Sequence, residues 1–210
     1  MAIKKFAYLF LLFFSNLTFS QCFEIQSILV DACDSGSATS DEGYNEMVRF
    51  QIGTTALNTS NLTVNWPSNT WQGLIQNATT AAKVAQLNSD IIAAGGCGTL
   101  LEPIGGVLPA NATVILVTSQ NFNTSSNSFG ALTTNTYIIF QNNTSALSGH
   151  FGNYNATPGT RTLTINFGGS CSDAVTYQRS NLVNIFGTTG GTSADNNGST
   201  VNFTASGLAS

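Results

Sequence analysis

Apolar residues alternate with polar ones along much of this chain. "NLTVNW" sets Leu62, Val64 and Trp66 on one side and Thr63 and Asn65 on the other. "RTLTINF" does the same with Leu163, Ile165 and Phe167, and "MVRFQI" with Val48, Phe50 and Ile52 against Met47, Arg49 and Gln51. A period of two is that of a strand with one buried face. "AVTYQ" contributes Val175 and Tyr177 to another strand, and "EIQSILV" and "TVNF" predict strands near the two ends. "TVILVT" (113–118) and "TYIIF" (136–140) are apolar without alternation, as expected of central strands covered on both faces.

One segment departs from that period. Over 79–94, "TTAAKVAQLNSDIIAA" places Val84, Leu87 and Ile91 at i, i+3 and i+7, starts on threonines suited to capping and stops at Gly95-Gly96. This predicts a single amphipathic helix inserted among strands, covering an open end of the β-structure. The segment 187–210 is rich in Gly, Asn, Ser and Thr, with "DNNGS" placed as a turn.

The first twenty residues place the chain in a cell. Lys4 and Lys5 precede an apolar run from Phe6 to Phe14, followed by small and polar residues up to Ser20, the order of an export signal. The run is shorter than the roughly 20 residues a bilayer-spanning helix needs. The expectation is a signal peptide over 1–20, a single domain over 21–210, secretion or display at the cell surface, and no transmembrane segment in the mature chain.

Loss of Lys4 and Lys5 leaves four of the six basic residues against ten acidic ones, a formal net charge of −6. Nucleic acid is therefore not an expected partner, because phosphate binding requires clustered Lys and Arg. In an oxidising compartment the four cysteines read as two disulfides, with three possible pairings. Cys22 and Cys33 flank an extended strand too long for them to pair with each other. Cys33 follows the first strand and Cys97 follows the helix, so a Cys33–Cys97 bond is expected, leaving Cys22 with Cys171.

Half of the ten carboxylates fall within "DACDSGSATSDEGYNE", as Asp31, Asp34, Asp41, Glu42 and Glu46. Calcium takes six to eight oxygen ligands, and Asp31, Asp34, Asp41 and Glu42 on a loop are candidate ligands for a structural ion, although the spacing is not that of an EF-hand. The alternative is a solvated turn, with Glu46 pairing Arg49 or capping backbone amides. His150 is the only histidine, which excludes a multi-histidine metal site. No motif supplies the serine and acid of a triad, and "SGHFGNY" reads as a loop. The glycine pairs at 105–106 and 190–191 lack the Lys-Ser/Thr ending of a phosphate loop. Asn-flanked aromatics in or beside loops suit the apolar face of a sugar; Phe151, Tyr154 and Trp71 are the candidate ligand-binding residues, against the alternative that each anchors the core or a loop.

Several stretches, in order, resemble the lamin tail domain. "EGYNEMVRF" resembles its second-strand signature, with Glu46 in the Glu position; "LTVNW" is similar to the next strand, ending in Trp66. "LLEPIGGVLPANATVILVTS" resembles the turn leading into a long buried strand, and "LTINFGGSCSDAVTY" the final hairpin, with Asp173 and Tyr177 in its second strand. The resemblance covers most of 23–178, with the helix and "SGHFGNYNATPGT" departing from the pattern. It implies an all-β, immunoglobulin-like β-sandwich with one inserted α-helix, serving as a non-catalytic module for adhesion, surface display or binding of a polysaccharide or cell-surface protein, without a cofactor other than possible structural calcium. The alternatives are a small secreted hydrolase using the acidic 31–46 loop and a passive spacer.

Overall fold

A computed structural model describes residues 21–33, 41–151, 159–187 and 198–210. Its elements in chain order begin with β1 (Phe23–Asp31), β2 (Met47–Ile52), β3 (Leu57–Asn58), β4 (Thr63–Asn65) and β5 (Leu74–Ile75). There follow α1 (Ala78–Ala93), β6 (Leu100–Leu101), β7 (Val107–Leu108), β8 (Thr113–Val117) and β9 (Thr136–Gln141). The hairpin of β10 (Thr160–Asn166) and β11 (Ser172–Gln178) and the short β12 (Ser199–Asn202) complete the set.

The larger sheet runs β12-β1-β2-β8-β9-β5, with β6 pairing the start of β9 and β5 its end. The smaller sheet runs β11-β10-β4. They face each other across one apolar core, in which Ile25, Val48, Phe50 and Leu116 of the larger sheet meet Val64, Leu163, Ile165 and Val175 of the smaller. The alternating stretches therefore turn the predicted residues inward: Leu163 and Ile165 are fully buried and Arg49 is exposed. Each such apolar side chain contributes roughly 1.5–3 kcal/mol by leaving water. The β8–β9 pair is parallel, a departure from the all-antiparallel pattern of immunoglobulin sheets.

A bulge explains why "EIQSILV" does not alternate cleanly. The register of β1 on β2 shifts between Ile25 and Ser27, so one extra residue is absorbed and both Ile25 and Ile28 point into the core. Next to it, the Ile25 amide donates to Asp173 Oδ2 at 2.7 Å, a hydrogen bond from one sheet to the other.

The Cys22–Cys171 disulfide joins the strand entering β1 to the β10–β11 turn, with a Cα–Cα distance of 5.7 Å, so it too ties the two sheets. That turn depends on Gly168 and Gly169, both at positive φ (93° and 58°). The expected Cys33–Cys97 bond is absent: both are free thiols. Cys33 is held through its backbone by Asn45 and Asn127, whereas Cys97 is held by Leu132 and Thr133. The 127–132 loop thus anchors them at its opposite ends.

The helix forms where the period of 3.6 predicts, but it lies on the back of the larger sheet rather than over an open end of the sandwich. Val84, Leu87 and Ile91 pack on Ile115, Val117, Ile138 and Phe140 as a second core, which is why the 113–118 and 136–140 stretches are apolar on both faces. Asn77, not a threonine, caps it: its side chain accepts from the Thr79 and Thr80 amides, and Thr80 Oγ1 accepts from Asn77 N. No helix among the described residues is long and apolar enough to cross a membrane. The expected signal peptide (1–20), most of the "DNNGS" turn, Asp34 and Tyr154 lie outside the described residues.

Candidate functional site

The ends of β1, β8 and β9 and the start of β2 meet at one end of the sandwich, and the loops there bury a group of polar side chains. Asn45, Glu46, Thr118, Ser119, Gln141, Asn143 and His150 are each at most 2 % exposed. Nothing in the local sequence marks Gln141 or Asn143 as buried, since both stand where an apolar strand gives way to a polar loop. Their burial satisfies backbone groups that the loops would otherwise orphan.

Glu46 and His150 are the centre of this group. Glu46 Oε2 accepts from the His150 amide at 2.6 Å and Oε1 from the Phe151 amide at 3.5 Å. Of the two roles left open for Glu46, this is the capping of backbone amides rather than pairing with Arg49, which emerges on the opposite face of the sheet, and Glu46 is buried rather than solvated on a turn. Gly149, at φ 72°, is required twice over, because a Cβ there would also overlap the Glu46 carboxylate.

The hydrogen-bond network assigns the histidine tautomer. Trp66 Nε1 donates to Gln141 Oε1 at 2.8 Å, and Gln141 Nε2 donates to the Thr118 carbonyl at 2.8 Å. The second Nε2 proton of Gln141 then points at His150 Nε2, 2.9 Å away, so that ring nitrogen accepts and the proton sits on Nδ1. Nδ1 faces Glu46 Oε2 at 3.9 Å, beyond hydrogen-bond length.

Burial decides the charge states. It raises the Glu46 carboxyl well above its ordinary range; the two amide donors oppose this only in part, and Asp31 and Glu42 nearby push the same way. Burial also lowers the His150 pKa from 6.5 to about 4. Burial thus works against the charged form of both groups, and the two are not an exposed acid–base couple.

The surrounding aromatics hold the 142–151 loop against both sheets. Trp66 lies 5.0 Å from the His150 ring and meets Phe151 edge-on at 5.7 Å. Tyr177 Oη donates to the Phe151 carbonyl at 2.8 Å, and the Ser68 amide to the His150 carbonyl at 2.8 Å. Phe151 is therefore a core residue rather than a platform for a ligand: its ring is fully buried. Trp71 is half-buried and leans on Trp66 at 6.4 Å.

The described residues of the acidic segment take different places in the fold. Asp31 is buried at the end of β1. Asp41 and Glu42 sit at a short 3-10 turn before β2, where Asp41 Oδ2 accepts from Asn123 Nδ2 at 3.3 Å. Among the described residues no three His, Cys, Asp or Glu side chains gather to hold a metal ion.

The back of the larger sheet offers a different surface. Among the described residues α1 packs on its β8–β9 half. Over β12, β1 and β2 a trough of about 170 Å³ remains, lined by Ser27, Leu29, Met47, Arg49, Ile115 and Thr200 among others. The chain matches no family model, no curated protein and no solved structure. Its chemistry has to be read from these surfaces.

Proposed function

We propose that this chain is an exported, non-catalytic binding module, an immunoglobulin-like sandwich of lamin-tail type that attaches to a polysaccharide or protein of the cell surface. The observation that carries this reading is the burial of the chain's only histidine together with Glu46. The two groups best suited to proton transfer are sealed from any substrate and spend their polar atoms on holding a loop. A disulfide linking two sheets fits an oxidising compartment, and the open trough on the back of the larger sheet leaves a surface for a ligand.

The test uses the secreted chain immobilised and exposed to fractionated surface polysaccharides and surface proteins. The reading expects saturable retention of one class with no chemical change in it. Turnover of a retained polysaccharide or peptide, abolished by Glu42→Gln or Asp41→Asn, would instead establish the hydrolase; retention of nothing would establish the spacer.

A further inference from the structure

The trough has a floor and one charge. Leu29 and Met47 stand opposite each other in the β1–β2 register, and Ile115 stands opposite Arg49 on the β8 side. Ser27 flanks Arg49 on the other side. Arg49 is exposed, and among the described residues no carboxylate forms an ion pair with it. The acid sharing this face, Glu24, is placed opposite Gln51, one side-chain step beyond Arg49 and away from Met47.

We propose, building on the binding-module reading, that this trough takes the free C-terminus of a peptide, with an aliphatic last side chain on Leu29, Met47 and Ile115 and the terminal carboxylate on the Arg49 guanidinium. Three features select that ligand. The volume of about 170 Å³ is below the ~300 Å³ of small-molecule pockets and fits a single side chain. Met47 and Arg49 are two residues apart on one strand, about 7 Å, so one terminal residue, carrying carboxylate and side chain on the same Cα, reaches both. Among the described residues no aromatic ring lines the trough, so the floor suits an aliphatic chain rather than a stacked pyranose. A guanidinium matches a carboxylate in two-point geometry.

The experiment titrates the full secreted chain with acetyl-Gly-Gly-Leu as free acid and as C-terminal amide, following backbone amide resonances. The free acid is expected to shift the Leu29, Met47 and Thr200 amides saturably. The amide form should bind at least roughly fivefold more weakly. Arg49→Gln, and Ser27→Glu, which sets a carboxylate opposite Arg49, should each bring the acid down to the level of the amide while leaving the melting temperature in place. Equal binding of acid and amide, no shift at these amides, or undiminished binding by Arg49→Gln would overturn the inference. So would a glucuronate disaccharide moving these amides where the peptide does not. A surface ligand held equally by wild type and Arg49→Gln would reject this trough while leaving the binding-module reading intact.

Discussion

The two faces of the larger sheet are built to opposite ends. The inner face is closed by the smaller sheet, tied by Cys22–Cys171 and the Asp173–Ile25 hydrogen bond, and plugged at one end by Glu46, Gln141 and His150. Among the described residues the outer face is closed where α1 lies on β8 and β9, and stays open over β1 and β2. The division runs through single strands: Val48 and Phe50 are fully buried while Arg49 between them is exposed. The larger core lies on the inner face and a second one under α1, so it is the residues over β1 and β2 on the outer face that are free to change without unfolding the protein.

Substitutions should expose that asymmetry. Phe50→Ala empties a site at which Phe23 and Phe167 pack with ring centroids 5.7 and 6.1 Å away, and is expected to cost about 3–5 kcal/mol in denaturant unfolding. Replacing both Cys22 and Cys171 by serine should cost about 2–4 kcal/mol by releasing the constraint on the unfolded chain. A loss below 0.5 kcal/mol for either would mean that the inner face is not where the stability resides.

The buried pair makes a pH prediction with two opposed signs. His150 titrates at about 4 in the folded chain and near 6.5 unfolded, so its contribution is complete above pH 6.5 and is lost as pH falls towards 4. The magnitude is about 3 kcal/mol. Glu46 is raised, so its contribution is complete below the unfolded carboxylate pKa of about 4.3 and is lost as pH rises through its folded value. The two partly cancel in the wild type. Glu46→Gln removes the second, and unfolding measured from pH 4 to 7 should show a steeper acid-side loss in this variant than in the wild type. Parallel pH profiles would show that Glu46 does not carry the raised pKa.

The smallest effect belongs to the outer face. Arg49→Gln should alter stability by less than about 0.5 kcal/mol, as read from the same unfolding curves; a larger loss would place Arg49 in the structural framework.

Much of the inner face is legible in the chain because alternation encodes it directly: Leu62, Val64, Leu163, Ile165 and Phe167 all point inward as their spacing predicts. The helix is equally legible from Val84, Leu87 and Ile91. The two-residue strands β3, β5, β6 and β7 are too short to carry a period, and the parallel adjacency of β8 and β9 is a long-range choice that no local pattern records. For Glu46 the chain offers amide capping as one of two roles, beside pairing with Arg49. Its partner is not legible: "SGHFG" has the composition of a surface loop, and His150 is buried where Glu46, 104 residues earlier, binds its amide and Gln141 its ring. The free Cys33 and Cys97 depend on how the 127–132 loop is pinned.

With a single histidine, the imidazole nitrogen resonances of the secreted chain report on the sealed end of the sandwich without overlap. The account predicts a neutral ring protonated at Nδ1, with Nε2 accepting from Gln141, unchanged from pH 8 down to about pH 5 and titrating near 4. A ring that titrates near 6.5 with the Nε2-protonated tautomer dominant would contradict it, because His150 would then be open to solvent and available for the chemistry that its burial denies.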